Sequence, residues 1–189
     1  VIIVGNLVVG GSGKTPFTIW LSKYLESKDK KTTIISSGHG STISSPVIID
    51  SLSNPNEVGD EAVLLSNKTQ STVVSSSNRV ESTKFCDTSE VDFIIHDDGL
   101  QHYSLNRQYE FIIENTNKRD NNFLLPCGPC REPKFFHENA DFILSNYTGS
   151  EYPGFYSRIS VVSSSIDKTK YDLGDRKFSS CVLLSLIHI

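Results

Sequence analysis

The first 27 residues constrain the fold of this chain most, because three patterns follow one another there in a fixed order. The apolar run 1–4 predicts a buried strand, and a glycine-rich loop then ends in Gly13-Lys14-Thr15. Strand, glycine-rich loop and helix in this order form a phosphate cradle, since backbone N–H groups converge on phosphates only where side chains leave room. The helix is predicted by apolar residues at helical spacing after Pro16, namely Phe17, Trp20, Leu21, Tyr24 and Leu25.

The loop matches the pattern G-x-x-x-x-G-K-[ST] except at its first position, where Val8 replaces glycine. Lys14 is predicted to reach the β- and γ-phosphates of a nucleotide, and the Thr15 hydroxyl is predicted to hold Mg²⁺. A plain turn between a strand and a helix is the alternative, and the helical stripe that follows argues against it. The candidate ATP-binding residues are Val8, Val9, Gly10, Gly11, Ser12, Gly13, Lys14 and Thr15.

Charge and hydropathy exclude two classes of partner. The 189 residues carry a net charge of −4, so the chain lacks the basic field that nucleic-acid binders use, and we expect no nucleic-acid partner. No run of eighteen apolar residues is present, so the sequence predicts no transmembrane helix. The chain starts inside a predicted strand without a methionine, and we therefore expect the natural N-terminus to lie upstream.

Short apolar runs alternate with helical patterns along most of the chain. Runs that are apolar throughout are typical of strands buried on both faces of a parallel sheet. Helical patterns at 15–27, 59–68 and 79–86 separate several of them, which predicts a doubly wound, mainly parallel sheet in a three-layer α/β/α fold of the P-loop NTPase type. The seven predicted strands are 1–4, 33–35, 47–49, 72–74, 91–95, 111–113 and 142–144.

The composition changes after the last predicted strand. We assign residues 1–146 to a P-loop catalytic domain that includes a long surface excursion at about 115–139. Residues 147–179 are rich in Ser, Tyr, Asp and Lys with alternating stretches, which predicts an extended β linker. Residues 180–189 are then the start of a second α/β domain, although 184–189 look like a translated sequencing-adapter end, and we hypothesise that they are not native.

A second candidate motif follows the predicted strand 91–95. Asp97 and Asp98 stand at its end, where a P-loop enzyme places a carboxylate that binds Mg²⁺ directly or through water. The candidate metal-binding residues are therefore Thr15, Asp97 and Asp98, with Gln101 and His102 in the loop that faces the nucleotide. A helix cap or a turn is the alternative for Asp-Asp-Gly.

Two further turns carry candidate site residues. Asp60 and Glu61 stand at the start of the predicted helix 59–68, where acids often serve only as partners of the helix dipole. The functional alternative is that Asp60 is the base that accepts the proton of an attacking hydroxyl. His39, between Gly38 and Gly40, lies in a turn that fits either a substrate-contacting loop or a plain connection.

The sequence Cys127-Gly128-Pro129-Cys130 raises the possibility of a redox protein. Lowering a thiol pKa for that chemistry requires a helix N-terminus after a strand, and the flanking prolines disfavour a helix here. A zinc site would need a second pair of ligands, and the sequence offers none at a suitable spacing. Free thiols in a reducing compartment are the favoured interpretation.

Taken together, these motifs resemble the tetraacyldisaccharide 4′-kinase family, the lipid A 4′-kinases of Gram-negative bacteria. The family pattern V-G-N-x-x-x-G-G-x-G-K-T-P matches residues 4–16 and itself lacks the first glycine, which accounts for Val8. The family's G-Y-G turn is similar to 38–40, with His39 for tyrosine, and its G-D-E-P is similar to 59–62, with Ala62 for proline. Its D-D-G-[FL]-Q-H matches 97–102, and its L-L-P-x-G-P-x-R-E-P matches 124–133, with both cysteines at variable positions.

The resemblance implies an ATP- and Mg²⁺-dependent kinase that phosphorylates the 4′-hydroxyl of a tetraacylated glucosamine disaccharide, the lipid A precursor. It implies Lys14 and Asp60 as catalytic residues and a peripheral location at the cytoplasmic face of the inner membrane. It also implies that this chain lacks the family's N-terminal membrane-associating helix and nearly all of its second domain, including a histidine that assists the Asp base.

A function of another class remains as the alternative. A nucleotide-dependent switch or partitioning ATPase uses the same loop to control a protein partner. Such proteins have no reason to carry both 97–102 and 124–133, so the kinase is the favoured prediction.

Overall fold

The computed structural model describes residues 1–38, 43, 45–50, 52–86, 90–114, 121–133, 135, 140–145, 161–163 and 170–172. His39, Gly40 and residues 180–189, for which predictions were made above, lie outside the described residues. The elements in chain order are β1 (Ile2–Gly5), α1 (Lys14–Glu26), β2 (Thr32–Ser36), β3 (Val47–Ile49), α2 (Pro55–Val58), α3 (Asp60–Lys68), β4 (Thr72–Ser75), α4 (Arg79–Phe85), β5 (Phe93–Asp97), β6 (Tyr109–Glu114), β7 (Phe142–Ser145), β8 (Val161–Ser163) and β9 (Lys170–Asp172).

Seven strands form one sheet in the order β3-β4-β2-β5-β1-β6-β7. Every neighbouring pair is parallel except β3 with β4, which is antiparallel. All seven predicted apolar runs are strands of this sheet, so the predicted α/β fold with a mainly parallel sheet is confirmed.

Both faces of the sheet are buried, as its continuous apolar strands require. On one face α1 and α3 contribute Phe17, Leu21, Ala62 and Leu65 to the largest apolar cluster. On the other face Ile35, Val74 and Ile94 pack with Cys86, which directly follows α4. Helices on both faces make this the predicted three-layer architecture.

Helix α1 buries a different face from the one its apolar residues indicate. Phe17 and Leu21 are buried as predicted, but Trp20 is 57 % exposed and Tyr24 is 48 % exposed. The fully buried positions between them belong to Thr18 and Ser22. The predicted apolar stripe is therefore wrong at Trp20 and Tyr24. Hydroxyl side chains of α1 are buried in their place, and the two exposed rings stack on each other along the side of the helix.

Two short strands, β8 and β9, pair antiparallel within the region predicted as a β linker. The remaining residues of 147–179 lie outside the described part of the chain. The division into domains and a linker therefore stays a prediction.

Candidate nucleotide-binding site

The parallel register brings the two predicted motifs to one edge of the sheet. Strands β1 and β5 are neighbours, with Val4 opposite Asp97. The loop that follows β1 and the acids that end β5 therefore meet at the carboxyl ends of the strands. Ligands of doubly wound sheets bind at this edge.

The glycine-rich loop has the backbone that its glycines predict. Gly10 has φ 102° and Gly13 has φ 94°, a region that favours glycine because other residues are strained there. Gly13 is also the N-cap of α1, and its carbonyl accepts from Phe17 N at 3.1 Å. Each left-handed residue turns the chain, so the loop wraps around the start of the helix.

Lys14 is held between two loops. Its Nζ donates to Asn6 Oδ1 at 3.0 Å and lies 3.4 Å from Asp98 Oδ1. Only 10 % of its side chain is exposed. The ammonium group is thus fixed at the edge of the sheet, in the region where the loop would receive phosphates.

Asp98 is surrounded by cations. Arg131 Nη1 donates to both of its carboxylate oxygens, at 2.9 Å and 3.0 Å, in addition to the ion pair with Lys14. Burial alone would raise the pKa of Asp98, but Lys14 and Arg131 outweigh it and lower that pKa. Asp98 is therefore an ionised carboxylate that connects the two cations.

Asp97 lies in a different environment from its neighbour. It is 1 % exposed, and its Oδ1 accepts from Thr18 Oγ1 at 3.0 Å. Burial, and after it the nearby charge of Glu61, raise the pKa of Asp97. Its Oδ2 has no hydrogen-bond partner within the part of the chain that the structure describes. A buried carboxylate oxygen without a protein partner fits the role of a cation ligand.

The start of α3 brings a third acid to the site. Glu61 Oε1 accepts a short hydrogen bond from Thr15 Oγ1. Asp60, the first residue of α3, is exposed and follows Gly59, whose φ of 92° sets the turn. The structure thus places Glu61 against the loop and Asp60 beside it at the surface.

Arg79, which the sequence did not identify, holds main-chain carbonyls at the edge of the sheet that carries the site. It is 2 % exposed and donates from Nη1 to Ile35 O at 3.1 Å and from Nη2 to the carbonyls of Asp97 and Asp98. It thereby fixes the ends of β2 and β5. The sequence carried no signal for this role, because a lone arginine after an N-cap is usually a solvated helix residue.

The loop 121–133 packs directly onto the glycine-rich loop. Val9 N donates to Pro129 O at 2.8 Å, Arg131 N donates to Leu7 O at 2.7 Å, and Val8 forms a β-bridge with Cys130. The backbone at Val8, where the general pattern has glycine, thus pairs with a second loop. The motif at 124–133 could have identified Arg131, which the sequence analysis did not list as a site residue.

The remaining predicted residues are placed as follows. Gln101 Nε2 donates to Asn6 O at 3.2 Å, and Gln101 Oε1 accepts from Arg131 at 3.3 Å. His102 lies half-buried in the same loop, and burial, followed by the charge of Arg79, lowers its pKa. Cys127 is an exposed free thiol and Cys130 is a buried one.

The donor set fits Mg²⁺ arriving with a nucleotide. Mg²⁺ prefers oxygen ligands and is commonly held by one or two carboxylates together with phosphates and waters. Thr15, Glu61 and Asp97 supply such oxygens, and Asp97 Oδ2 still lacks a partner. No group of three or more acidic, histidine or cysteine residues that could hold a metal occurs among the described residues.

The fold and the glycine-rich loop are those of the P-loop class of α/β proteins. The model of the tetraacyldisaccharide-1-P 4′-kinase family matches residues 1–174. The chain therefore belongs to that family.

Similar proteins carry the same name over the matched region. A tetraacyldisaccharide 4′-kinase of Haemophilus influenzae is 39 % identical over 155 residues, covering 80 % of this chain and 47 % of the relative. That of Pasteurella multocida is 42 % identical over 156 residues, covering 80 % and 48 %. The chain spans less than half the length of these relatives.

A solved structure is similar in fold. It is a crystal structure of the "apo" form of LpxK from Aquifex aeolicus in complex with ATP, with a TM-score of 0.73 and 28 % sequence identity. The match covers 89 % of this chain and 57 % of that one.

Proposed function

We propose that this chain is the nucleotide-binding and catalytic part of a kinase that transfers the γ-phosphoryl group of ATP to the 4′-hydroxyl of a tetraacylated glucosamine disaccharide, a lipid A precursor. Membership of the family and the names of the relatives support this reaction. We further propose that the complete protein works as a peripheral protein at the cytoplasmic face of the inner membrane. No helix within the described residues is long and apolar enough to cross a bilayer.

One observation carries the proposal: three structural units place charged groups around the start of α1. The glycine-rich loop supplies Lys14, the end of β5 supplies Asp97 and Asp98, and the start of α3 supplies Glu61. Phosphoryl transfer needs little covalent help from a protein and depends on such positioned charges.

Each residue then has a chemical task. The loop N–H groups at residues 10–13 and the ammonium of Lys14 would bind and neutralise the phosphates, since Val9 N already donates to Pro129 O. Thr15, Asp97 and Asp98, with Glu61 beside them, would hold Mg²⁺, which supplies neutralisation of the charge on the transferring group. Asp60 would accept the proton of the attacking 4′-hydroxyl, because it is an exposed carboxylate directly before Glu61, which contacts Thr15. Arg79 would fix the main chain at Asp97 and Asp98, and Arg131 would fix the Asp98 carboxylate.

The test measures transfer from γ-labelled ATP to a tetraacyldisaccharide 1-phosphate in detergent micelles with Mg²⁺. The complete Haemophilus influenzae relative is assayed beside this chain, since the chain spans less than half of it. We expect the chain to bind MgATP. We also expect the parent protein to label the disaccharide and the Lys14→Ala variant to leave it unlabelled. A folded chain that binds no MgATP while the relative is active would contradict the proposal.

A further inference from the structure

Asn6 is a fully buried polar residue that no step above uses. It directly follows β1, is 0 % exposed, and points its side-chain amide into the glycine-rich loop. Its Nδ2 donates to Val8 O at 2.5 Å and approaches Gly10 O at 3.4 Å, while its Oδ1 accepts from Lys14 Nζ at 3.0 Å. Carbonyls only accept and an ammonium only donates, so an amide is the group that satisfies both sides at once.

The backbone of Asn6 belongs to the same set of contacts. The carbonyl of Asn6 accepts a hydrogen bond from Gln101, and the side-chain oxygen of Gln101 accepts one from Arg131. Arg131 also binds Asp98, and Asp98 forms an ion pair with Lys14. The five residues close a ring that joins the glycine-rich loop, the loop after β5 and the loop 121–133. A change at Asn6 is therefore transmitted to the charges of the site rather than to the apolar core.

The amide also orients the loop. In a trans peptide the carbonyl and the following N–H point in opposite directions. Because Asn6 holds the carbonyls of Val8 and Gly10 on its own side, the N–H groups of Val9 and Gly11 point away from it. Val9 N meets Pro129 O, as this geometry requires.

We propose that Asn6 is a positioning residue for phosphate binding, which sets both the path of the glycine-rich loop and the position of the Lys14 ammonium. It acts through the loop and Lys14 and does not touch the reacting atoms. The inference rests on the proposed function, because it assumes that this loop binds the phosphates of ATP.

Two substitutions separate the two tasks of the amide. Asn6→Asp keeps an oxygen that can accept from Lys14 but places its other oxygen against the carbonyls of Val8 and Gly10. Asn6→Ala removes both contacts. Ser22→Ala is the matched control, since Ser22 is equally buried and hydrogen-bonded but lies on the far part of α1.

The measurements are the Kd for MgATP by calorimetry and the denaturant midpoint of the chain. We expect Asn6→Ala to raise the Kd for MgATP about tenfold or more, as loss of a hydrogen bond to a charged group does. Asn6→Asp should raise the Kd by a smaller factor, and Ser22→Ala should leave it unchanged. In a Lys14→Ala background, Asn6→Ala should change Kd much less, because the two residues act together.

Three outcomes decide the matter. Folded Asn6→Ala and Asn6→Asp proteins with parental Kd would overturn the positioning role and leave the proposed function intact. Equal effects of Asn6→Ala with and without Lys14 would overturn the placement of the Lys14 ammonium by Asn6, since that task requires the lysine. A parent chain that binds no MgATP would overturn both proposals.

Discussion

The two ends of the sheet carry polar clusters of opposite character. At the amino end, Ser22, Glu26, Thr32 and Ser71 form a closed hydrogen-bond network, in which Glu26 Oε1 accepts from Ser22 at 2.9 Å and from Ser71 at 3.0 Å. At the carboxyl end, several buried atoms lack a hydrogen-bond partner among the described residues: Ser36 Oγ, Arg79 Nε, His96 Nδ1, Asp97 Oδ2 and Glu132 Oε1.

This difference supports the proposed binding site at the carboxyl end of the sheet. Unpaired buried polar groups cost free energy, so they persist where a ligand completes them. Burial, and then Arg79, lowers the pKa of His96 to about 3, so its ring, which contacts Thr83, is neutral. A cavity of about 480 Å³ lies at the amino end and is lined by Glu26, Gln70 and Ser71. Because the network there is complete, we assign no ligand to that cavity.

The largest effect is expected at Lys14. Lys14→Ala should reduce phosphoryl transfer to background and weaken MgATP binding, since a positioned cation contributes several kcal/mol to a charged transition state. Stability should fall by about 1–3 kcal/mol at most, because the buried Asn6 Oδ1 loses its donor while Asp98 keeps its contacts with Arg131. The assay compares it with Lys30→Ala, an exposed lysine paired with Asp92 at the amino end. Transfer within tenfold of the parent, about 1.4 kcal/mol on the barrier, would remove Lys14 from the mechanism.

Asp60→Asn should mainly slow the chemical step. The amide can still stand at the first turn of α3 but cannot accept a proton, and loss of a general base typically costs about 10²–10⁴ in rate. The kcat and the Kd for MgATP are measured for the Asp60→Asn variant and the parent protein under the same conditions. The control is Glu57→Gln in α2, an exposed acid in a first turn. An unchanged kcat would leave Asp60 as a partner of the helix dipole.

Asp97→Asn should change stability and MgATP binding in opposite directions. Burial raises the pKa of Asp97, so the folded state binds a proton more tightly than the unfolded state. Stability therefore falls as pH rises from the unfolded pKa through the folded one. In the metal-free chain the variant should avoid this loss and unfold at higher denaturant at pH 8, by about 1 kcal/mol, yet bind MgATP more weakly.

The control for Asp97 has the opposite sign. A hydrogen bond from Lys31 N lowers the pKa of the exposed Asp92, so its ionised form favours folding above the unfolded pKa. Asp92→Asn should therefore reduce stability at pH 8 and leave MgATP binding unchanged. A parental pH dependence of unfolding in Asp97→Asn would show that Asp97 carries no penalty.

At the amino end a substitution should affect stability alone. Ser71→Ala removes a hydrogen bond to Glu26 and contacts with Ser22 and Thr32. We expect a loss of about 1 kcal/mol in the free energy of unfolding and an unchanged Kd for MgATP, measured by denaturation and calorimetry on one preparation. A weaker Kd would mean that the two ends of the sheet are coupled through α1.

The sequence predicted the sheet well because its strands are continuous apolar runs. Short runs of this kind are typical of strands that are buried on both faces of a sheet. It predicted Lys14 and Asp97 at one edge because parallel strands end together. It failed for the exposed Trp20 and Tyr24, since the helical period shows where apolar residues recur but not that Thr18 must bond Asp97. Short α2 was also not predicted.

Contacts between distant loops were beyond the sequence for a different reason. Asn6 belongs to the family pattern at residues 4–16. Its amide gains a role only in the folded chain, where Lys14, eight residues further on, donates to it. Arg79 reaches the carbonyl of Ile35, 44 residues away. Such hydrogen bonds depend on tertiary approach, and no local periodicity reports them.

The smallest effect is expected at Cys127, which tests whether the loop 121–133 acts through its backbone or its thiols. Its contacts with the glycine-rich loop are made by main-chain atoms of Pro129 and Arg131, and Cys127 is an exposed free thiol. Cys127→Ser should therefore leave stability, MgATP affinity and transfer unchanged, and the parent should behave alike with and without reductant. Cys130→Ser places a hydroxyl at a fully buried position and should cost about 1 kcal/mol without loss of transfer. Reversible loss of activity on oxidation, abolished by Cys127→Ser, would instead show that a thiol controls the contact with the glycine-rich loop.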